Sequence, residues 1–502
     1  MKTYFFKARL FIFLFFLHGL AFSQHIDASL GFTSGYTANG AVPFWQYANR
    51  QGDIPMSGFA NLLSAKVEKR YLNIDSINSK FDWSFTVDGR VRTGDKVDFR
   101  LIEGKVSAKY GIFEAVVGRE REWSFLLDSM LSTGSFSLSG NSLGIPKIEL
   151  RIPKYYSIPG TKKLLAIKGR VLHGWMGDVP IHYGENRGAY VKTYYHHLAA
   201  YGRLGKPHWR LKLEAGLTHD VEWGSDKFIF GDQYDLNGLQ AFYYVLTGKA
   251  YGGAKEYKGK RLDISKIGNH LGTIDLAATY DFKGFSLNLY RQFFYEKGAL
   301  RYAANIKDGL TGLKLVNKKP KNGDFYINKV VFEHFYSSDQ GGQFGAPWTP
   351  SGPEYYYNHG VYAEGFSYKG LGIGNPLIMP AYLARENLPL NPKDYFVSTR
   401  VSAFHLGLFG GLGKNTVTGK VTFAKHFGDY HTSGPDYQWY NGKKVAQNFT
   451  YGIFKPVNQF SYYLEVKRPL KNQYHVSVSF AGDQGGLLKN TFGSFVSINK
   501  FW

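Results

Sequence analysis

The chain has 502 residues, with 61 Lys and Arg against 39 Asp and Glu, a formal net charge of +22 at pH 7 and no cysteine. The lack of cysteine excludes disulfide scaffolds, thiolate zinc sites and cysteine nucleophiles. Aromatic residues make up 17% of the chain and glycine contributes 59 residues, a combination that favours strands and turns over long helices. A mean hydropathy of −0.28 argues against a multi-span helical membrane protein.

The first 23 residues have the pattern of a secretory signal peptide. Basic residues near the start are followed by an apolar run from Leu10 to Phe22, and Ala21-Phe-Ser23 is a small-x-small cleavage site. The apolar run is shorter than a helix needs to cross a bilayer. We therefore predict a signal peptide at residues 1–23 and an exported protein over residues 24–502, for which nucleic acid is not an expected partner.

Apolar and polar residues then alternate strictly in several segments. The clearest examples are residues 81–92, 209–218, 274–289 and 474–480. Period two places one set of side chains on each face of a sheet. Several of these segments run for about nine to eleven residues, the length that a tilted strand needs to cross hydrocarbon.

Two architectures produce this pattern in an exported protein. A soluble sandwich or propeller buries the apolar positions, whereas a membrane barrel turns them toward lipid. The polar positions are strongly charged, which suits a hydrated lumen, and the chain ends inside an alternating segment on Phe501-Trp502. Aromatic residues also recur at predicted strand ends, as in interfacial belts: Tyr201, Trp209, Tyr280, Phe282, Phe285 and Tyr474. We therefore predict an all-β, transmembrane antiparallel β-barrel in the cell outer membrane.

The connections between the predicted strands fall into two groups. Turns are short at residues 202–208, 280–285 and 468–473. Other connections are long and rich in glycine, proline and aromatic residues, and they cover residues 221–268, 337–360, 375–394 and 426–449. Short turns at one rim and long extracellular loops at the other are typical of outer-membrane barrels.

One segment departs from period two. Trp123, Leu126, Leu127, Met130 and Leu131 follow a spacing of three and four residues. This spacing predicts a short helix near residues 120–132 with one apolar stripe, placed in the lumen or at the periplasmic mouth. A packed loop turn is the alternative interpretation.

The sequence offers little for catalysis. It contains no H-E-x-x-H or G-x-S-x-G motif, and residues 370–374 read as a tight strand turn rather than a phosphate-binding loop. His196 and His197 are adjacent, so in a strand they point to opposite faces. Residues 119–122 (Arg-Glu-Arg-Glu) are interpreted as solvated or lumenal ion pairs. We expect no enzyme activity, no catalytic residue, no metal and no cofactor, with a membrane-embedded hydrolase as an alternative because a catalytic triad needs no local motif.

The long loops carry clusters of aromatic, amide and acidic residues. Rings stack on the apolar faces of sugars, while carboxylates, amides and Arg bind the hydroxyl groups. The residues predicted to contact polysaccharide are Trp348, Tyr355, Tyr356, Trp439 and Tyr440 through stacking, and Arg291, Asp339, Gln340 and Asp436 through polar groups. The alternative for each ring is a place in the upper interfacial belt or in loop packing. The basic excess would attract an acidic polymer.

Short motifs also follow one another from residue 43 to residue 376. They are Pro43-Phe-Trp45, Ala48-Asn-Arg-Gln-Gly52, Val117-Gly-Arg119 through Trp123, Gly134-Ser135, Ser139-Gly-Asn141, Ile145-Pro146, His173-Gly-Trp-Met-Gly-Asp178, Arg291-Gln292, Asp308-Gly-Leu310, Gly312, Gly365 to Tyr368 and Gly372-Ile-Gly-Asn-Pro376. In their order and spacing these motifs resemble the Wzi family of capsule-assembly outer-membrane proteins, in its Bacteroidetes form.

The resemblance implies an 18-stranded barrel that acts as a lectin and attaches capsular or other extracellular polysaccharide to the cell surface. It implies neither catalysis nor a cofactor. The expected partners are the polysaccharide and outer-membrane lipid, and the expected state is a monomer. An outer-membrane diffusion porin is the main alternative function.

Overall fold

The structure is a computed structural model that describes residues 26–56, 58–72, 81–182, 188–231, 234–251, 256–257, 260–261, 265–296, 298–319, 325–342, 354–433, 437–440, 443–446 and 454–502. The predicted signal peptide lies outside these residues. Within the described residues, no helix is long and apolar enough to cross a bilayer.

Eighteen antiparallel strands form one closed sheet. They are β1 (Ile26–Thr37), β2 (Phe59–Lys69), β3 (Asp82–Thr93), β4 (Asp98–Tyr110), β5 (Phe113–Arg119), β6 (Lys147–Ser157), β7 (Leu165–Pro180), β8 (Tyr190–Leu204), β9 (Leu211–Trp223), β10 (Asn269–Asp281), β11 (Phe285–Tyr295), β12 (Gly309–Asn317), β13 (Phe325–Tyr336), β14 (Val401–Leu412), β15 (Asn415–His426), β16 (Val457–Pro469), β17 (Tyr474–Gly485) and β18 (Thr491–Phe501). Each strand pairs with the next one along the chain, and β18 pairs with β1. The predicted barrel and its strand number are confirmed.

The barrel closes between the two ends of the described chain. Phe32 of β1 lies opposite Ile498 of β18, and the backbone N–H of Trp502 donates to the carbonyl of Ala28 at 2.9 Å. Closure leaves no strand edge unpaired, which is what a sheet surrounded by hydrocarbon requires.

Strand β3 shows which way the wall faces. Its outward Trp83, Val87 and Val91 are 44%, 51% and 42% exposed, whereas the alternating Thr86 and Asp88 are 6% and 2% exposed. A soluble sheet would bury the apolar set, but here the polar set faces the interior. The alternation therefore belongs to a membrane barrel with a polar lumen and excludes the sandwich and propeller alternatives.

The two rims differ in the length of their connections. At the end that holds both described termini, residues 111–112 and 413–414 are two-residue turns. At the other end, the connections 120–146, 224–268 and 337–400 are long. Short turns face the periplasm in outer-membrane barrels, so we call the first end the periplasmic rim and the second the outer rim.

Most of the predicted aromatic belt lies at the periplasmic rim. Five of the six predicted belt residues lie there and expose between 36% and 44% of their surface: Trp209, Tyr280, Phe282, Phe285 and Tyr474. Tyr201 was wrongly assigned to this belt. It has the lumen-facing parity of β8, is buried, and donates its hydroxyl hydrogen to Asp275 at 2.5 Å.

The remaining regular elements are short. The α-helices are α1 (Phe44–Tyr47), α2 (Asp226–Phe230), α3 (Gly238–Thr247) and α4 (Tyr430–Ser433), and the 3-10 turns are Ala38–Gly40, Ala299–Tyr302, Ala381–Leu383 and Lys471–Gln473. Five small hairpins pair Ala250–Tyr251 with Ser265–Lys266, Glu256–Tyr257 with Lys260–Arg261, Ser367–Tyr368 with Leu371–Gly372, Met379–Pro380 with Phe396–Ser398, and Tyr437–Tyr440 with Lys443–Ala446.

Helix α3 covers part of the outer wall. It begins at a capping box between Asn237 and Gln240, and Phe242 packs against the outward-facing rings of His173, His196 and Trp223. The side chain of a capping residue satisfies a backbone N–H that the first turn leaves free, which explains where the helix begins.

The predicted helix near residues 120–132 is wrong, and the packed loop of the alternative interpretation is found instead. Bends and turns occupy the segment. Ser124 accepts the N–H of Leu126, and Asp128 accepts the N–H groups of Met130 and Leu131, all through side-chain oxygens. Such bonds offer the backbone an alternative to the helical ladder. Leu126, Leu127 and Leu131 of the apolar stripe are nevertheless buried inside the barrel, whereas Met130 is exposed.

Candidate functional site

Three segments of the outer-rim loops fold into the lumen. They cover residues 41–53, 120–146 and 354–380, and we call them together the lumen plug. Trp45 Nε1 donates to the Thr422 hydroxyl of β15 at 3.0 Å, and the carbonyl of Phe125 accepts from Lys168 Nζ at 2.9 Å. Lys168 lies only three residues from the periplasmic end of β7. The plug therefore reaches most of the way through the barrel.

The second and third plug segments bind each other. The Ser139 hydroxyl donates to the carbonyl of Gly374 at 2.6 Å, and Asn375 Nδ2 donates to the carbonyl of Gly134 at 2.5 Å. Tyr357 donates its hydroxyl hydrogen to the carbonyl of Phe136. A Cβ atom at Gly374 would overlap both groups of this last bond, so the close approach requires glycine there.

Residues 370–374 form the tight strand turn that the sequence predicts. Lys369 and Gly370 have φ values of 51° and 95° and join the hairpin strands Ser367–Tyr368 and Leu371–Gly372. The segment is packed into the plug and has no helix after it, so it lacks the geometry of a phosphate-binding loop.

Charged side chains of the wall hold the plug in place. Glu333 of β13 accepts hydrogen bonds from the Ser132 hydroxyl at 2.6 Å and from the Thr133 N–H at 2.7 Å. Lys147 Nζ lies 3.0 Å from Glu120 and 2.6 Å from Glu122. The charged run at 119–122 therefore forms lumenal ion pairs, as the sequence interpretation expects.

Ser137, Asp220 and His197 lie together in the lumen but are not arranged as a catalytic relay. Ser137 donates to one carboxylate oxygen of Asp220 at 2.5 Å, and His197 Nδ1 lies 2.8 Å from the other. In a catalytic triad the serine hydroxyl bonds to one ring nitrogen of the histidine, and the carboxylate bonds to the other ring nitrogen. His196 points to the opposite face of β8, as predicted, and lies under helix α3.

At the outer end of the plug, Glu296 and Glu354 join two neighbouring loops. Glu354 accepts the backbone N–H groups of Glu296 and Ala299, each at 3.0 Å. In return, Glu296 accepts the N–H groups of Tyr355 and Tyr356 at 2.7 and 2.8 Å. This exchange fixes the backbone from which Tyr355 projects.

Asp308 supports the same region from below. Its carboxylate accepts the N–H groups of Asp339 and Gln340 at 2.9 and 2.7 Å and the hydroxyl of Tyr356 at 2.6 Å. Burial raises the pKa of Asp308 to about 7. A single carboxyl group before β12 thus ties the start of the loop after β13 to the later segment of the same loop that carries Tyr355.

The structure places the described members of the predicted site in three settings. Tyr355 and Asp339 are half-buried at the outer rim, and the Tyr355 ring stacks on His431 with 4.8 Å between centroids. Tyr356 and Gln340 have no exposed surface and support the loops. Arg291 lies on the outward face of β11, where it donates to the Thr311 hydroxyl at 2.6 Å and does not join the others.

The remaining predicted residues are not described at the side-chain level. Trp348 and Asp436 lie outside the described residues. Trp439 and Tyr440 belong to the short strand Tyr437–Tyr440 in the loop after β15, and its backbone position is all that the structure gives.

The structure also brings forward residues that the sequence analysis did not name. Arg400 lies 4.5 Å from the ring of Tyr430 and donates to the carbonyl of Ser433 at 3.2 Å. His431 lies beneath Tyr355 and beside Asp394. The usable signal was the cluster Asp429-Tyr-His431, which resembles the aromatic and acidic clusters of the other loops. We call Asp339, Tyr355, Asp394, Arg400 and His431 the outer-rim surface.

Comparison with known proteins supports the fold. The chain matches no protein-family model and no curated protein by sequence. Its structure is similar to that of Wzi from Escherichia coli, an outer membrane protein involved in group 1 capsule assembly and described as a carbohydrate-binding β-barrel, with a TM-score of 0.53, 11% identity, and coverage of 94% of this chain and 83% of that one.

Two Pseudomonas aeruginosa proteins are also similar. OprD has a TM-score of 0.43 and 10% identity and is matched over 95% of this chain and 94% of its own. OccK5 (OpdH) has a TM-score of 0.44 and 8% identity, over 96% of this chain and 98% of its own. With the closed wall, its apolar exterior and its unequal rims, the chain is an outer-membrane β-barrel.

Proposed function

We propose that this protein binds capsular or other extracellular polysaccharide at its outer rim and holds it on the cell surface, without catalysis. The observation that carries the proposal is the outer-rim surface, which stands above a lumen filled by loops. A filled lumen leaves the rim as the place where the barrel meets a large ligand. The similarity in fold to a carbohydrate-binding capsule-assembly barrel agrees with this proposal.

The outer-rim surface has the chemistry that sugars need. Tyr355 presents a partly exposed ring that stacks on His431. Asp339 and Arg400 both contact Tyr430, the residue next to His431, and their charged groups can bind hydroxyl or carboxylate groups. Residues 24–502 carry an excess of Lys and Arg over Asp and Glu even without the three basic residues of the predicted signal peptide, and this excess would draw an acidic polymer toward the barrel. Repeated weak contacts along one polymer would add through avidity.

The other predicted residues keep distinct parts in the proposal. Trp348, Trp439 and Tyr440 are proposed as further stacking rings on the loops, and Asp436 as a polar contact. Arg291 is proposed for contact with polymer that reaches the outer wall. Tyr356 and Gln340 act in the proposal by holding the loops, since both are buried.

The plug argues against the alternative of a diffusion porin. Its first segment bonds to β15, its second segment bonds to β13 and β7, and its third segment bonds to the second. A solute would have to displace these bonds to pass. Ser137 and His197 each bond to Asp220 and not to each other. This lumenal group therefore does not place a serine nucleophile on a histidine base, as the hydrolase alternative would require.

Polysaccharide binding by purified variants tests the proposal. Tyr355→Ala should weaken binding of the capsular polysaccharide extracted from the producing organism by about two- to tenfold, because a stacked ring contributes roughly 0.5–1.5 kcal/mol. Tyr355→Trp should retain binding. Tyr474→Ala is the matched control, because that exposed ring lies at the periplasmic rim.

A double variant tests the loop tryptophans. Trp348→Ala with Trp439→Ala should release polysaccharide from cells while the barrel still migrates as a folded species in detergent gels. Wild-type affinity in Tyr355→Ala together with wild-type retention in the double variant would contradict the proposed site.

A further inference from the structure

Two carboxylates and one imidazole meet at the outer rim. Asp394 lies on the segment that follows the turn at Asn391, and Asp429 and His431 lie at helix α4. One ligand atom from each of the three residues lies within 4.8 Å of the others, and His431 Nδ1 is 3.0 Å from the Asp394 carboxylate. The cluster joins two loops that are distant in the sequence.

Asp429 has an oxygen that no described group satisfies. The residue is 1% exposed, and its Oδ1 accepts the N–H and the hydroxyl of Thr432 at 2.8 and 2.9 Å. Its Oδ2 is buried and has no hydrogen-bond partner among the described residues. A buried carboxylate oxygen without a partner is costly, so this atom points to a missing cation or proton.

The surroundings supply little positive charge. Among the described residues, no Lys or Arg forms an ion pair with Asp394 or Asp429, and the imidazole of His431 lies 3.0 Å from the Asp394 carboxylate.

We propose that Asp394, Asp429 and His431 bind a divalent transition-metal ion, for which Zn²⁺ is the test ion. The ligands are the Asp394 oxygen that faces His431, Asp429 Oδ2 and His431 Nδ1. Imidazole suits Zn²⁺ and its neighbours, whereas Ca²⁺ and Mg²⁺ take oxygen ligands. Binding releases any proton that His431 Nδ1 carries, because the metal ion binds the lone pair of that nitrogen.

The geometry is close to what this ion requires. Ligand atoms around a tetrahedral Zn²⁺ lie roughly 3.3 Å apart, given metal–ligand distances of about 2.0 Å. The 3.0 Å separation of His431 Nδ1 and the Asp394 oxygen fits this spacing, and the ligand atom of Asp429 lies within 4.8 Å of both. Three protein ligands leave a fourth position for water or another oxygen ligand.

The ion would also order the ring above it. Tyr355 stacks on His431 at 4.8 Å with 12° between the ring planes. A metal that fixes the His431 ring therefore fixes the surface on which Tyr355 rests. This inference does not depend on polysaccharide binding, because metal binding can be measured without any sugar.

The experiment measures metal binding by the full-length mature protein in detergent, without a polyhistidine tag. After chelation and dialysis, the wild-type protein should bind one Zn²⁺ per chain with a dissociation constant in the micromolar range or below, in competition with a chromogenic chelator. Asp429→Asn and His431→Gln should each weaken this binding at least tenfold. Glu386→Gln, which changes an exposed carboxylate of the same rim outside the cluster, should bind as the wild type does.

Folding and ion identity are controlled separately. Heat-modifiable migration in gels shows whether each variant forms the barrel, and Co²⁺ substitution should give a visible absorption band that His431→Gln loses. Absence of saturable Zn²⁺ binding by the folded wild type would overturn the proposal and leave a shared proton between the two aspartates. Equal Zn²⁺ affinity in Asp429→Asn, or tighter binding of Ca²⁺ than of Zn²⁺, would overturn it as well.

Discussion

At the residue scale, Asp308 shows how one buried carboxyl group organises the outer rim. It accepts two N–H groups from the loop after β13 and the hydroxyl of Tyr356. These bonds place Asp339 at the surface and keep Tyr356 inside. Because the pKa of Asp308 is raised from 3.8 to about 7, the closed loop holds a proton that an opened loop releases.

This shift predicts a pH dependence of known sign. Between about pH 4 and pH 7 the closed loop binds more protons than the open loop. The contribution of Asp308 to the free energy of loop closure is therefore largest below this range and decreases as the pH rises through it. Hydrogen exchange at the amides of Asp339 and Gln340, corrected for intrinsic rates, should show protection that decreases over this window. Asp308→Asn keeps a neutral acceptor and should remove most of the dependence. Protection that increases with pH, or an unchanged profile in Asp308→Asn, would contradict this account.

The site was only partly readable at this scale. Tyr355 and Asp339 stood out because aromatic and acidic residues cluster locally in the loop sequence. His431 and Asp394 did not, because their contact joins positions 37 residues apart. The burial of Tyr356 and Gln340 depends on Asp308 and Thr399, which no local pattern connects to them.

At the scale of elements, ion pairs attach the second plug segment to the wall. Lys147 at the start of β6 contacts Glu120, Glu122 and Glu149. Among the described residues, the buried ammonium of Lys147 is the one cation that contacts all three carboxylates, and Lys105, Arg151 and Arg170 each contact one or two of them. The connection between β5 and β6 thereby begins and ends on the same cluster.

Removing the ammonium should release this loop. Lys147→Met removes the cation that contacts all three carboxylates, and breaking a buried pair costs about 3–5 kcal/mol at most here, because Lys105, Arg151 and Arg170 still contact them. The variant should lower the temperature at which the folded band disappears in detergent gels and should raise hydrogen exchange over residues 120–146. Lys66→Met is the control, because the Lys66–Glu68 pair is partly exposed and such pairs contribute about 1 kcal/mol or less. Equal effects of the two substitutions would show that the network does not anchor the plug.

Strands were predictable because their signal is local. Alternation along β3, β9 and β17 needs only neighbouring residues, and the exposed apolar set confirms its meaning. The segment at 120–132 failed for the opposite reason. Its apolar stripe was real, but Ser124 and Asp128 bond to the backbone and tertiary contacts fix an irregular path.

At the scale of the whole molecule, the lumen is the feature that the sequence left undecided. The plug is built from bonds between residues far apart in the chain, such as Ser132 with Glu333 and Ser139 with Gly374. Short and long connections predicted which rim carries loops, but not that three of those loops turn inward. Long-range contacts of this kind have no local sequence pattern.

A filled lumen predicts that the protein forms no conducting channel. The purified protein in a planar bilayer should insert without giving a steady conductance, because the plug bonds to the wall over most of its depth. An open 18-stranded porin barrel, by contrast, has an aqueous channel. A stable, reproducible channel current from the wild-type protein would show that the lumen is open and would support the porin alternative.

Retention of polysaccharide on the outer membrane tests the central claim most directly. Membranes from cells with and without this protein are compared for bound polysaccharide, with the remainder measured in the medium. The account predicts that loss of the protein moves polysaccharide into the medium, and that restoring the wild-type protein, but not a folded variant that combines Tyr355→Ala, Trp348→Ala and Trp439→Ala, returns it to the membrane. Equal amounts of bound polysaccharide with and without the protein would contradict the account.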